Sequence, residues 1–419
     1  MRKDLAVIIL AAGKGVRMKS ELQKVLHTVA GRPMLGYVLD LAKRLVPKHT
    51  ICVLGHKPEA VRGYIKKQKG KVKIVIQKRL LGSADAVKQA ASVLKGFKGT
   101  VLVLYADNPL LKLQTVKKLI NYHQQTKAAG TLLSAVLKQP KGYGRIIRDT
   151  AYNILGIVEE AEANDYEREI KEINTGICCY DKDSLFRALK SIKLSRRKKE
   201  YYLTDAVGIL SKQGEVIESL KLEESEEAIG INRQSDLAQA EKVLQQRLFQ
   251  SLSEKGVRIV DPDSTRVCWD TRIGAGSVVF PFTVIETNVK IGKDCSIGPF
   301  CHLRPGVVIR DKSKIGNFTE VSRSTIGERT AAKHFCFLGD SRIGKGVNIG
   351  AGTVTANYDG KKKSITKIRD QAFIGSDTIL VAPLRIGRRA RTGAGSVVTR
   401  RRDVPPGKTV VGVPAKPLK

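Results

Sequence analysis

The chain has 419 residues, and its 75 lysines and arginines outnumber 40 acidic residues, which gives a formal net charge of +35. This length predicts two or three domains with sizeable cores. No apolar run approaches the ~20 residues that a membrane-spanning helix needs. The basic residues are spread along the chain and aromatic residues make up only 5% of it, a composition that disfavours nucleic-acid binding because bases need stacking platforms.

The cysteines and the N-terminus predict a reduced, cytoplasmic protein. Seven cysteines form no C-x-x-C pair, which argues against a structural zinc site, and their odd number argues against a disulfide framework. The opening residues lead straight into an apolar segment without the features of a signal peptide.

The first apolar segment, residues 6–10, predicts a buried parallel strand that ends in a glycine-rich turn. Gly13 and Gly15 allow a ligand to approach the backbone closely, and Lys14, Arg17 and Lys24 add positive charge. Such a turn predicts a phosphate site. The spacing fits neither the dinucleotide-binding nor the Walker pattern.

Alternating strands and helical segments up to residue 232 predict a doubly wound α/β domain. Further strands are expected at 50–55, 73–77 and 100–105. Asp107 follows the last of these, and ligands of open parallel sheets bind beyond the carboxyl ends of strands. Asp107 is therefore a candidate metal ligand. Leucines at near-helical spacing over 235–251 predict a connecting helix.

From Ile273 to Val321 an aliphatic residue recurs at every sixth position. Period six fits neither a helix nor a plain strand and predicts a solenoid in which three hexads form one coil. Cys295 and Cys301 fit this period as packing residues. The repeat is interrupted around His334 and again over 357–363, and we expect a functional loop at each interruption. The domains are therefore expected at 1–232 and 255–419, joined by a linker helix over 233–254.

The motifs L-A-A-G-x-G-x-R-M, K-V-L-H, Y-x-D, G-Y-G-R-I, I-N-T-G and E-Y-Y-x-T-D occur in this order. With the hexads, they resemble the family of bacterial bifunctional N-acetylglucosamine-1-phosphate uridylyltransferases and glucosamine-1-phosphate N-acetyltransferases. The resemblance implies a doubly wound nucleotidyltransferase domain followed by a left-handed parallel β-helix. It also implies a homotrimer built through the β-helices, and small-molecule substrates of cell-wall and lipopolysaccharide precursor synthesis.

For the first half, the resemblance assigns phosphate contacts to Arg17 and Lys24 as catalytic residues and Mg²⁺ to Asp107 and Asn232. The residues expected to bind UTP or the UDP-sugar are Leu10, Ala11, Ala12, Gly13, Lys24, Gln77, Gly82, Ser83, Tyr105, Asp107, Gly144, Glu159, Asn174 and Asn232. The sugar phosphate attacks the α-phosphorus of UTP, so charge neutralisation and alignment are the main requirements. Gln23 and the acidic Glu160 depart from the family pattern.

For the second half, the resemblance assigns the catalytic base to His334, which suits deprotonation of an amine near neutral pH. The residues expected to bind acetyl-CoA and the acceptor are Arg304, Asn348, Ala351, Asn357, Tyr358, Ser376 and Ala394. Three positions depart from the family: Ser322 replaces a lysine, Phe337 a tyrosine and Gly412 an arginine. Arg323 is a possible substitute for that lysine.

Two alternatives remain open from the sequence. One is a single-activity uridylyltransferase whose β-helix serves trimer assembly or acylates a different acceptor. The other is a basic nucleic-acid-binding scaffold, which would account for the charge but not for the two groups of site residues.

Overall fold

The computed structural model describes residues 2–68, 70–195 and 199–418. It forms two compact units, residues 1–243 and 244–419. Within the described ranges, no helix is both long enough and apolar enough to cross a membrane.

The first unit is a layered α/β structure. Its strands are β1 Arg2–Ala11, β2 Thr28–Val29, β3 Arg32–Pro33, β4 Pro47–Leu54, β5 Lys73–Ile76, β6 Thr100–Tyr105, β7 Gly130–Val136, β8 Gly144–Arg148, β9 Ile154–Val158, β10 Glu172–Asp181 and β11 Ile217–Lys221. Its α-helices are α1 Met34–Arg44, α2 Pro58–Lys67, α3 Ser83–Lys88, α4 Leu113–Thr126, α5 Asp165–Glu169, α6 Lys182–Ser191 and α7 Asp205–Lys212. Helix α8, Gln234–Ser253, confirms the predicted connecting helix.

The main sheet has the order β11-β7-β10-β6-β1-β4-β5, with β8 and β9 attached to β10. Strand β1 pairs in parallel with β4 and β6, while β10 runs antiparallel to β6 and β7. Leu10 lies opposite Tyr105, so the carboxyl ends of β1 and β6 meet at one edge of the sheet. The segments expected at 50–55, 73–77 and 100–105 are confirmed as β4, β5 and β6.

Apolar layers cover both faces of this sheet, as a doubly wound fold requires. Val7 and Ile9 belong to one buried cluster, and Ala6 and Ile8 belong to the other. Alternate residues of one strand thus fill two cores, which explains why residues 6–10 form an unbroken apolar run. Because both cores hold β1 in place, the turn that follows it has a fixed starting point.

The second unit is a three-sided parallel β-helix, and each side is a stack of short strands. The first side contains Arg258–Ile259, Val278–Val279, Ser296–Ile297, Lys314–Asn317, Ala331–His334, Asn348–Ile349, Phe373–Ile374, Arg391–Thr392 and Thr409–Val411, followed by antiparallel Lys416–Pro417. The second contains Arg266–Val267, Val284–Ile285, His302–Leu303, Glu320–Ser322, Phe337–Gly339, Val354–Ala356, Ile379–Val381 and Val397–Val398. The third contains Arg272–Ile273, Lys290–Ile291, Val308–Ile309, Thr325–Ile326, Ser341–Ile343, Thr366–Ile368 and Leu384–Ile386.

The aliphatic residues of the hexads form one continuous core, and Cys295 and Cys301 are buried in it as predicted. Their burial raises the pKa of the Cys301 thiol to about 11. The chain leaves the stack over residues 357–365, which confirms the loop expected there.

The prediction of a loop around His334 is wrong. His334 ends a strand and pairs in register with Asn317 of the coil before it. The change of spacing is absorbed elsewhere, because Ile326 and Ile343 come five rather than six residues after the preceding core residues and still point inward. A shortened corner keeps the coils stacked without expelling any chain.

Candidate functional site

A pocket of about 610 Å³ opens at the carboxyl ends of β1 and β6. Twelve of the residues expected to bind nucleotide line it: Leu10, Ala11, Ala12, Gly13, Arg17, Lys24, Gln77, Gly82, Ser83, Tyr105, Asp107 and Asn232. The pocket therefore lies where an open parallel sheet offers its loops to a ligand.

The two glycines of the turn have different structural roles. Gly15 has a φ of +64°, and an added Cβ would lie 2.6 Å from Lys24 Cβ, so Gly15 allows Lys24 to pack against the turn. At Gly13 an added Cβ would meet no protein atom within 4 Å. The protein does not fill the space beside Gly13, which leaves it to a ligand.

Two cations and two oxygen ligands meet in the pocket. The Lys24 ammonium donates to Asp107 Oδ2 and to Asn232 Oδ1, the latter at 3.1 Å. Arg17 Nη2 donates to the same Asn232 oxygen at 2.7 Å. The Lys24 and Asp107 side chains are only 14% and 15% exposed, so the charges interact with little screening.

Neighbouring backbone groups orient these side chains. Asn232 Nδ2 donates to the Gly230 carbonyl at 3.2 Å, which turns Oδ1 towards the pocket. The Asn232 backbone N–H donates to Asp236 at 2.8 Å. Gln23, a departure from the family pattern, donates from Nε2 to the His56 carbonyl at 2.7 Å and thereby supports the short helix Lys24–Leu26.

Asp107 and Asn232 suit a hard divalent cation. Both oxygens lie within hydrogen-bonding reach of one point, which the Lys24 ammonium marks as a stand-in cation. Mg²⁺ commonly takes one or two protein oxygens and completes its shell with water and substrate phosphates. The donor set therefore fits the predicted ion.

Side-chain hydrogen bonds hold the segment over residues 77–83, which lines the pocket. Gln77 Nε2 donates to the Gly82 carbonyl at 3.0 Å and to Asp85 at 2.8 Å. Ser83 Oγ accepts from the Leu203 N–H at 2.9 Å. At Gly82 a Cβ would lie within 2.8 Å of the Tyr201 backbone nitrogen, so only glycine fits this close approach.

Three residues that were also expected to bind UTP or the UDP-sugar do not line the main pocket: Gly144, Glu159 and Asn174. Asn174 lines a smaller cavity together with Tyr105, and burial raises the pKa of the Tyr105 hydroxyl. Glu159 accepts from Thr204 Oγ1 at 2.8 Å, and Gly144 lies beside Glu159. Tyr105 thus stands between the two groups of expected residues.

Further acidic side chains lie near Glu159. Burial, with Glu162 and Glu159 nearby, raises the pKa of Asp205 to about 6. Glu160 does not face the pocket but lies 2.9 Å from the buried Arg145 guanidinium. This departure from the family pattern therefore adds no charge to the site.

The sequence analysis did not single out five residues that also line the pocket: Val16, Val25, Leu80, Ala86 and Glu200. Lys14 and Gly15, which it placed in the phosphate-binding turn, line the pocket as well. Glu200 opens the motif E-Y-Y-x-T-D, but nothing in its residue type distinguishes it from a surface carboxylate.

In the second unit, four of the expected residues form one column. Register places His334, Ala351, Ser376 and Ala394 at equivalent positions of successive coils. The Asp377 N–H donates to the Ala351 carbonyl at 2.6 Å, and the Gly395 N–H donates to the Ser376 carbonyl at 2.8 Å. The three residues that follow His334 in this column have small side chains, and His334 stands at one end of it.

The turn that follows the second side of the β-helix contains a polar network. Arg323 Nε and Nη2 donate to the Asp340 carboxylate at 2.7 and 2.8 Å, and Arg323 Nη1 donates to Ser322 Oγ at 2.8 Å. Asn357 also donates to Asp340. The guanidinium and this amide together lower the pKa of Asp340. Arg323 thus supplies a cation directly beside Ser322.

The other expected residues of this unit are not part of either group. Arg304 donates to Glu320 at 2.8 Å, and the exposed Tyr358 donates to the Gly360 carbonyl within the loop over 357–365. Asn348 opens a strand of the first side. Phe337, which replaces a tyrosine, lies half-buried on the second side.

Four phenylalanines lie in the turns that follow the strands of the first side, one in each of four successive coils. Phe282, Phe300 and Phe318 stack with ring centroids 4.7 and 4.8 Å apart, and Phe335 follows in the next coil. These side chains are 43–64% exposed. We call these four residues the phenylalanine column.

Comparisons with known proteins agree with both units. Residues 7–170 match the MobA-like NTP transferase domain, and residues 270–305 and 288–323 match the bacterial transferase hexapeptide family of six repeats. The stacked strands and these repeats confirm the fold class, a nucleotidyltransferase domain followed by a left-handed β-helix.

Curated relatives extend this likeness to nearly the whole chain. The "Bifunctional protein GlmU" of Geobacillus sp. (strain WCH70) is 41% identical, over 95% of this chain and 93% of its own length. The protein of the same name from Halalkalibacterium halodurans is 39% identical, over 95% and 94%. That from Syntrophomonas wolfei is 40% identical, over 96% of each chain.

Proposed function

The chain belongs to the family of the bifunctional protein GlmU, and we propose that its two units have different catalytic activities. The first transfers UMP from UTP to N-acetylglucosamine-1-phosphate and releases pyrophosphate. The second acetylates glucosamine-1-phosphate from acetyl-CoA. The product, UDP-N-acetylglucosamine, feeds cell-wall and lipopolysaccharide precursor synthesis.

One observation supports the first activity above all others. Lys24, Arg17, Asp107 and Asn232 converge at the wall of a pocket of about 610 Å³. A triphosphate and a sugar phosphate are both strongly anionic, and a site that joins them needs cations aimed at one place.

In this mechanism the attacking oxygen belongs to a phosphate that is already a nucleophile, so no protein base is required. Arg17 and Lys24 neutralise the triphosphate and the leaving pyrophosphate, and the pocket aligns the attack with the bond that breaks. Held by Asp107 and Asn232, Mg²⁺ would supply further positive charge against the phosphates.

In the second unit, His334 takes the proton that the glucosamine amine must lose before it attacks the thioester. The small residues of its column, Ala351, Ser376 and Ala394, leave room for the extended arm of acetyl-CoA. Arg323 offers positive charge to the acceptor's phosphate near Ser322, although arginine and lysine are not equivalent there.

We further propose a cytoplasmic homotrimer assembled through the β-helices. The phenylalanine column supports this assembly, because contiguous exposed aromatic rings are typical of surfaces that bury against a partner. All substrates are small molecules.

Two separate mass-spectrometric reactions test the proposal: UTP and Mg²⁺ with N-acetylglucosamine-1-phosphate for uridylyl transfer, and acetyl-CoA with glucosamine-1-phosphate for CoA release. Asp107→Asn is expected to lower uridylyl transfer by about 100-fold and to spare CoA release, because it removes charge at one site only. His334→Ala is expected to lower CoA release by about 100-fold and to spare UTP chemistry. A wild-type protein that releases no CoA would leave only the uridylyltransferase half of the proposal standing.

A further inference from the structure

Lys24 occupies the position between the two oxygen ligands that a metal ion would take. Its ammonium donates to both Asp107 and Asn232. Of these two oxygen ligands, the exposed Arg17 donates to Asn232. We propose that Lys24 is the resident counter-cation of this site, that a divalent ion must displace it, and that the displaced ammonium then moves onto the phosphates of the nucleotide. The inference rests on the proposed uridylyl transfer.

The structure fixes the base of the Lys24 side chain and leaves its end free to move. Its Cβ packs against the turn at Gly15, and the helix Lys24–Leu26 begins after Gln23, whose amide is tied to the His56 carbonyl. The ammonium lies at the far end of a flexible four-carbon stem. A rotamer change can therefore carry the charge across the pocket without moving the backbone.

An ammonium and a divalent ion cannot both occupy the point between Asp107 and Asn232. At a separation of a few ångströms in a poorly screened site, an ammonium and a divalent ion repel each other strongly. Metal binding alone must therefore break the hydrogen bonds that Lys24 makes to Asp107 and Asn232. When the triphosphate is present, the released ammonium gains a new anionic partner, so the two ligands should strengthen each other's binding by the same factor.

The test measures Mn²⁺ binding to the full chain through the electron paramagnetic resonance signal of the free ion, first without nucleotide. Lys24→Met is expected to bind Mn²⁺ about tenfold more tightly than the wild type, because the competing cation is gone. Lys14→Met is the matched control: Lys14 lines the same pocket, and no hydrogen bond joins it to Asp107 or Asn232 in the described structure. Equal or weaker Mn²⁺ binding by Lys24→Met, or an equal gain in Lys14→Met, would overturn the proposal.

Two further measurements keep the test decisive. Thermal unfolding shows whether Lys24→Met is folded, and Lys24→Gln replaces it if it is not. Lys24→Arg, which keeps a cation, is expected to bind Mn²⁺ as weakly as the wild type. UTP binding by the wild type is measured separately: its absence would refute the proposed uridylyl transfer, whereas the comparison with Mn²⁺ alone tests only the displacement.

Discussion

At Gly15 an added methyl group would lie 2.6 Å from Lys24 Cβ, in a backbone conformation that already favours glycine. Gly15→Ala is therefore expected to push Lys24 out of place and to lower kcat/KM for uridylyl transfer by about 100-fold, since a 1 Å misplacement of a catalytic group costs this much. Steady-state kinetics of pyrophosphate release checks it. An activity within twofold of the wild type would contradict the role given to Gly15.

Gly13 lies in the same turn but has open space beside it. Gly13→Ala is expected to leave the melting temperature unchanged, because the new methyl group meets no protein atom. The methyl group would instead occupy ligand space and raise KM for UTP by about tenfold. A lower melting temperature with an unchanged KM would show that the space serves the fold rather than the nucleotide.

The raised pKa of Asp205, about 6 against an ordinary 3.8, makes stability depend on pH. Between these values the folded chain holds a proton that the unfolded chain has lost, so stability falls as pH rises through this window. Above pH 6 both states are ionised and the cost persists. Asp205→Asn is expected to stabilise the protein by about 2 kcal/mol at pH 8 and by much less at pH 4, where the folded carboxyl is protonated.

Urea unfolding of the full chain at both pH values measures this difference. Asp165→Asn is the matched control, because Asp165 also begins a helix but its side chain is 97% exposed. A gain for Asp205→Asn that is the same at pH 4 and pH 8 would show that the carboxylate's charge is not its cause.

Among elements, the strand pair that contains His334, Lys314–Asn317 with Ala331–His334, is the most sensitive to a single atom. A Cβ at Gly316 would overlap the backbone carbonyl of Lys333, the residue before His334. Gly316→Ala is expected to separate these coils and to lower CoA release by at least about tenfold while uridylyl transfer persists.

Gly306→Asn is the control for this variant. Gly306 has a φ of +77°, and Asn288 one coil below already adopts a φ of 57°. Asparagine is therefore expected to fit with little loss of CoA release. If both variants lost this activity alike, general damage to the β-helix would be the cause.

Strands and repeats could be predicted because each has a period of its own. The run over residues 6–10 and the hexads from Ile273 to Val321 identified both units. His334 shows where this reasoning ends: a change of spacing in the sequence looks the same whether chain is expelled or a corner is shortened. Only the register with Asn317 distinguishes the two.

The pairing of side chains was harder to predict from the sequence than the backbone elements. The resemblance to the family brought Lys24, Asp107 and Asn232 to one site, but nothing in the sequence predicted that the ammonium would bridge the two oxygens. The hydrogen bond from Gln23 to the His56 carbonyl and the contact of Glu160 with Arg145 were equally hidden. Such pairs depend on the distance between segments far apart in the chain.

For the whole molecule, the phenylalanine column gives the sharpest prediction. Phe318, 64% exposed, stacks on Phe300. Phe318→Glu places a charge in the apolar surface that a partner would cover, and it is expected to convert the proposed trimer into monomers of 46.0 kDa. Light scattering after size exclusion measures the mass. A trimer that persists in this variant would place the assembly surface elsewhere.

The loop over residues 357–365 has a consequence for the integrity of the β-helix. The strands on either side of it are bonded to neighbouring coils: Val354 pairs with Ile379, and Ser341 pairs with Thr366. The loop itself contains the consecutive lysines 361–363, which are exposed. Trypsin should therefore nick the native protein there first, and the two fragments should stay associated and elute together until a denaturant separates them.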